Sequence, residues 1–175
     1  MALQVIAYSG LRVVRSLGST EDPSAVQDGI TFQVHPGFPR QAGGIDPQLV
    51  YSAQQTFRFD VGSYSRYLRW LEQLARVVGI PSIDLFWRSP KPIAFAELLD
   101  FADCNATMGS VTCAKLAHDF QDWAVKAARS TESYFREQYA FWGRACDIAA
   151  LHGCISLHSK SSAGSPHASI NSERA

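Results

Sequence analysis

The sequence predicts an α+β domain over residues 1–158, a small, mainly antiparallel sheet packed against about four helices. Three observations carry that expectation. Short stretches alternate apolar and polar residues with period two, as half-buried strands do. Longer stretches in the second half repeat apolar residues at steps of three and four, as amphipathic helices do. Clusters of Gly, Ser, Asp and Pro punctuate both kinds.

At the start, Leu3, Val5 and Ala7 alternate weakly with Gln4, Ile6 and Tyr8, the mark of a mostly buried strand. Gly10 interrupts it, and residues 11–14 continue it after a bend or bulge. Residues 16–29 read as loop. Residues 30–35 form a second short strand. Pro36, Gly37, Pro39, Gly43 and Gly44 make the following stretch irregular, and Asp46-Pro47 opens a turn. Residues 49–52 and 56–60 are strand segments with Ala53, Gln54 and Gln55 between them.

Residues 57–80 are the centre of the reading. Phe57 and Phe59 alternate with Arg58 and Asp60, and Gly62-Ser63 breaks the strand. Ser63 is a helix N-cap, its hydroxyl placed to accept an N–H one turn in. Tyr64, Tyr67, Leu68, Leu71, Leu74, Ala75 and Val78 then make an apolar stripe. Arg66, Arg69, Gln73 and Arg76 make a basic back. Gly79 suits the C-cap and Pro81 the stop.

Three prolines in residues 81–92 exclude a long helix there, and Phe86 and Trp87 in that loop read as a lid over the core in preference to a contact surface. Residues 93–101 form a short helix, and residues 102–110 a polar corner with Gly109-Ser110 as the next helix start. A third helix covers residues 110–128. A fourth, restarted at Ser130-Thr131 and ended by Gly153, packs antiparallel to it because the link is short. Residues 154–158 alternate again and can pair with the first strand. Residues 159–175 are a disordered tail, too poor in apolar side chains to offset their ordering entropy.

Composition narrows the function classes. The 175 residues are 46% apolar and 18% charged with zero formal net charge, so no global field draws in nucleic acid or membrane. No apolar run is long enough to span a bilayer and no secretory signal opens the chain, which leads to an expectation of a cytoplasmic protein. The four cysteines, Cys104, Cys113, Cys146 and Cys154, have no zinc or redox spacing. Cys113 and Cys146 lie on apolar helix sides, where a thiol behaves as a small hydrophobe. Neither a metal nor an organic cofactor is expected, since the histidines form no ligand pair and no phosphate-binding loop is present.

Several blocks resemble a group of small proteins of proteobacteria and their phages and prophages to which no activity is attached. The blocks are LQVIAYSGLRVV, GIDPQLVY, FRFDVGSYSRYLRWLEQLARVVG, FAELLDFADCNATMGSVTCAKLAHDF and FREQYAFWGRACDIAALHGCISLH. The most specific pieces are the Ala-Tyr-Ser opening, Gly62-Ser63-Tyr64-Ser65-x-Tyr67 and the Phe-x-Asp-Cys run that ends at Cys104. The chain departs from that pattern at Arg66, where the group has Gly, and at Leu68, where it has Asn. It departs again at Asn105, where the group has an acid. The resemblance implies a phage or prophage setting in a bacterial cytoplasm, and no reaction.

Two glycine-marked polar corners stand out in an otherwise apolar frame. One is Gly62, Ser63, Tyr64 and Ser65 with Arg66 and Tyr67. The other is Asp103, Cys104 and Asn105 with Gly109 and Ser110. If they met, helix-terminal amides, hydroxyls and Arg66 would form a concave site for a small anionic ligand. A non-enzymatic binding module for such a ligand, or for a host protein, is the leading expectation. A small hydrolase or transferase is the second, with Cys104 as thiolate, His118 as base and Asp103 or Asp119 as orienter, or with an acid/base role for Asp100, Asp103 or Asp119. A nucleic-acid binder is the third, through Arg66, Arg69 and Arg76 with Tyr64, Tyr67 and Trp70 interleaved. Neutral total charge weighs against it.

Overall fold

The computed structural model describes residues 2–16, 29–88, 92–101 and 106–160. Strands β1 (Ala2–Ser9), β4 (Gln55–Ser63), β5 (Ala106–Gly109) and β6 (Cys154–Lys160) form one sheet in the order β4-β1-β6-β5. Every neighbouring pair is antiparallel. Strands β2 (Arg12–Ser16) and β3 (Leu49–Ser52) pair with each other in a separate ribbon. The helices are α1 (Tyr64–Val77), α2 (Ile83–Arg88), α3 (Ala96–Asp100), α4 (Ser110–Asp122), α5 (Ala124–Ala127) and α6 (Ser133–Ala149), with a 3-10 turn at Pro39–Ala42. The architecture is α+β, as expected. No helix among the described residues is long and apolar enough to cross a membrane.

The weak alternation of β1 has a direct cause, because both of its faces are covered. Leu3, Val5 and Ala7 are sealed beneath the helices, whereas Ile6 and Tyr8 pack on the opposite side with Phe32, Tyr51 and Cys154. On the helical side the stripe of α1 buries Tyr67, Leu71, Leu74 and Ala75; Trp70 joins them, whereas Tyr64, at the start of the expected stripe, is exposed. Tyr67, Trp70 and Trp142 stack with ring centroids about 6 Å apart, and Phe59 meets Trp142 edge-on. Truncating a ring in such a stack costs about 3–5 kcal/mol. Helices α4 and α6 pack antiparallel, with Phe120 against Tyr139 and the Tyr139 hydroxyl donating to Phe120 O at 2.8 Å.

Several boundaries differ from expectation. Residues 11–14 do not prolong β1. Gly10, at φ +60°, ends that strand, and β2 turns away to meet β3. Residues 30–35 supply a single bridge, Ile30 to Tyr51, because Phe32 serves as a plug against Tyr8 and Tyr51 and not as a rung. Gly62-Ser63 does not break β4, which runs on to Ser63. The register slips there instead, pairing Leu3 with Gly62 and Gln4 with Asp60, and Gly62 takes φ +77° in the bulge. Part of the presumed polar corner is strand β5, all four residues buried, held by β6 on one side and by the 3-10 turn.

Among the helices, the one expected over 93–101 is only α3. Phe95 stands before it at φ +61°, its amide donating to Asp119 Oδ2 at 2.8 Å. The third predicted helix is interrupted at Trp123, giving α4 and α5. Phe86 and Trp87 lie on the short helix α2 and not in irregular chain; Phe86 is buried in the core, while Trp87, 40% exposed, is held by its Nε1 donating to Leu99 O. Ser159 and Lys160 belong to β6 and not to the tail, while residues 161–175 lie outside the described residues.

Candidate functional site

The first expected corner is a local structure that satisfies itself. Ser63 caps α1: Arg66 N donates to Ser63 Oγ at 3.3 Å, and Ser65 Oγ lies 3.1 Å from Ser63 Oγ. The guanidinium of Arg66 covers the Tyr134 ring at 3.9 Å, and the Tyr134 hydroxyl donates to Val61 O at 2.6 Å. Burial raises the Tyr134 phenol above its usual value, and Arg66 partly opposes that. Ser63, Tyr64, Ser65 and Arg66 are exposed and Gly62 half-buried. Tyr67 is not at the surface; its hydroxyl donates to Phe101 O inside the core.

The second corner is placed elsewhere. Gly109 is buried, and a β-carbon on it would overlap the Gly43 carbonyl oxygen, so it serves a close backbone approach. Ser110 opens α4 and lines a cavity. Asp103, Cys104 and Asn105 lie outside the described residues. Strand register gives the separation. Gly62 stands opposite Leu3, and Gly109 stands opposite Cys154, itself opposite Tyr8. The two glycines therefore occupy opposite edges and opposite ends of the sheet. Five residues along and three strands across amount to roughly 20 Å. The structure does not bring Gly62-Ser63 and Gly109-Ser110 together.

The other candidate chemistries meet similar geometry. Asp119 holds Lys115 Nζ at 2.7 Å as well as the Phe95 amide, and Lys115 also reaches Glu97 at 2.6 Å, an arrangement that fastens α3 to α4. His118 faces solvent and pairs with Asp122 at 3.4 Å. Burial pushes the Cys113 thiol up to about 12 and raises Cys146 and Cys154 as well, so none of these three is a thiolate at neutral pH. Among the described residues no group of His, Cys, Asp or Glu is arranged to hold a metal ion. Of the proposed nucleic-acid face, Trp70 is in the core, Arg66 rests on Tyr134, and Arg76 pairs with Glu72 at 3.2 Å.

What sequence reasoning missed is a groove of about 500 Å³ between the far end of α1 and the turn from α5 to α6. Gln73, Arg76 and Val77 supply one wall and Lys126, Arg129, Ser130 and Thr131 the other, with Phe135 at its base. Three cations face one carboxylate, Glu132. Arg76 is shared with Glu72, whereas Lys126 and Arg129 make no ion pair among the described residues. Lys126 Nζ sits 4.8 Å from the Trp123 ring. The first turn of α6 also points here, and no side chain caps it. The available signal was Lys126, Arg129, Ser130 and Thr131 together at a helix restart; that Arg76 joins them is tertiary information. No family model matches this chain, and no curated protein or solved structure is significantly similar to it.

Proposed function

We propose that the protein is a binding module for a small anionic ligand, and that it takes the anion in the groove between α1 and the α5–α6 turn. One observation carries the reading: Lys126 and Arg129 share a cavity wall with Ser130 and Thr131, opposite Arg76, and have no carboxylate partners of their own among the described residues. A phosphate or carboxylate there would gain charge-assisted bonds from two or three cations, with the α6 dipole adding to them. The groove is open and its cations are solvated, so weak binding follows and it falls as salt rises. The bacterial or phage setting implied by the resemblance belongs to this proposal.

The test is thermal denaturation of the whole chain with inorganic phosphate and then pyrophosphate, at constant ionic strength. A ligand that binds only the folded state stabilises it by about 2.7 kcal/mol at a hundredfold excess over Kd. The expected result is a raised midpoint that Lys126→Ala with Arg129→Ala abolishes. A midpoint that does not respond to either anion, or a response that survives both substitutions, refutes the reading.

A further inference from the structure

Strand β2 has the sequence Arg12-Val13-Val14-Arg15-Ser16 and pairs on one side only, with β3. Its other edge meets no strand among the described residues. Val13 is 56% exposed and Val14 42%, unusual for apolar residues in a strand. Arg12 and Arg15 flank them, and neither is in an ion pair among the described residues. The Nε of Arg15 is shielded from solvent and has no hydrogen-bond acceptor among the described residues. Beside the ribbon lies a cavity of about 580 Å³ whose apolar walls are Leu11, Val13, Ile45, Leu49 and Tyr51. Asp46, Ser110 and His152 provide polar groups of its lining. Leu151 and Val111, next in sequence to His152 and Ser110, are exposed at 66% and 77%.

An open edge next to an apolar cavity is the geometry of strand addition. Backbone bonds supply affinity there, and pockets for alternate side chains supply specificity. A second copy of this chain is a poor occupant. Antiparallel self-pairing centred on Val13 and Val14 sets Arg12 opposite Arg15 twice, and like charges directly opposed are destabilising. The same two charges favour carboxylates. We infer that the β2 edge docks an extended segment of a partner protein, apolar in its middle and acidic at both ends, with one apolar side chain in the cavity. The surface shares no residue with the anion groove, so either can fail without the other.

The experiment uses the intact chain and two labelled peptides, Glu-Val-Leu-Val-Asp and its counterpart with Lys at both ends. Fluorescence anisotropy measures affinity, and amide hydrogen exchange locates the contact. The acidic peptide is expected to bind about tenfold more tightly than the basic one, and to slow exchange at residues 12–15. R12E with R15E should reverse the preference. Equal binding of the two peptides, no binding of either, or protection that appears away from β2 overturns the inference. So does protection of residues 12–15 that grows with protein concentration alone, since copies of the chain would then be pairing there. If the double variant does not fold, the exchange map of the unsubstituted chain decides.

Discussion

Gly109 and Gly153 are required by contact and not by turn geometry. A β-carbon on Gly109 would overlap the Gly43 carbonyl oxygen, and one on Gly153 the Tyr8 carbonyl oxygen, both backbone atoms that cannot swing aside. Gly109→Ala is therefore expected to cost about 3 kcal/mol, the upper part of the overpacking range, as read by urea denaturation. Asp100 is a second residue with a definite expectation. It ends α3, where a negative charge is unfavourable, and burial followed by the Glu97 carboxylate raises its pKa above the usual 3.8. A raised folded-state pKa means that Asp100 favours the fold in its protonated form. That contribution is whole below 3.8 and is lost as pH rises through the folded value. Asp100→Asn should thus raise the melting temperature at pH 7, and the difference from the parent should shrink as pH falls toward 3.8. A gain of equal size at pH 3 and pH 7 would contradict this.

Helix α1 is the element whose two ends behave differently. Its beginning is closed by its own residues: Ser63 caps it, and Arg66 is drawn sideways onto Tyr134. Its far end contributes Arg76 and Gln73 to the cationic groove. Ser63→Ala should cost about 1 kcal/mol through the lost cap, measured by urea denaturation, and leave any response to phosphate as it was. Loss of the phosphate response in that variant would move the anion to the first corner. Strand β5 shows the opposite lesson. Its four residues, Ala106-Thr107-Met108-Gly109, lie between a polar run and a helix start and carry too little alternation to register as a strand. Only the ladder with β6 and the roof formed by the 3-10 turn make them one.

For the molecule as a whole, β1 is the organising strand. It sits between β4 and β6, which come from the middle and the end of the described chain, and it separates two apolar clusters. No part of that sheet closes until distant segments meet. Its amides at Val5 and Ala7, with Ile155 and Leu157 of β6, should accordingly exchange with solvent only through global unfolding. Those of β2, bound on one side and lined by exposed valines, should exchange by local opening. Hydrogen exchange read by NMR checks this, and equal protection of β1 and β2 would contradict it. Charge follows the same division between total and local. The net is zero, yet Lys126, Arg129 and Arg76 converge on one groove.

Periodicity and punctuation alone determined the α+β class, the capped start and buried stripe of α1, the antiparallel α4 and α6, and the pairing of the last strand with the first. These are local patterns, each written in consecutive residues as an apolar face that has to be covered. Tertiary structure decided the rest. It set Gly62 and Gly109 at opposite corners of the sheet, buried Trp70 and left Tyr64 of the stripe exposed, converted residues 106–109 into a strand and gathered Arg76 with Lys126 and Arg129. Which polar corners and which charges become neighbours depends on strand order and register, and these are settled by cross-chain packing of faces that look alike in sequence.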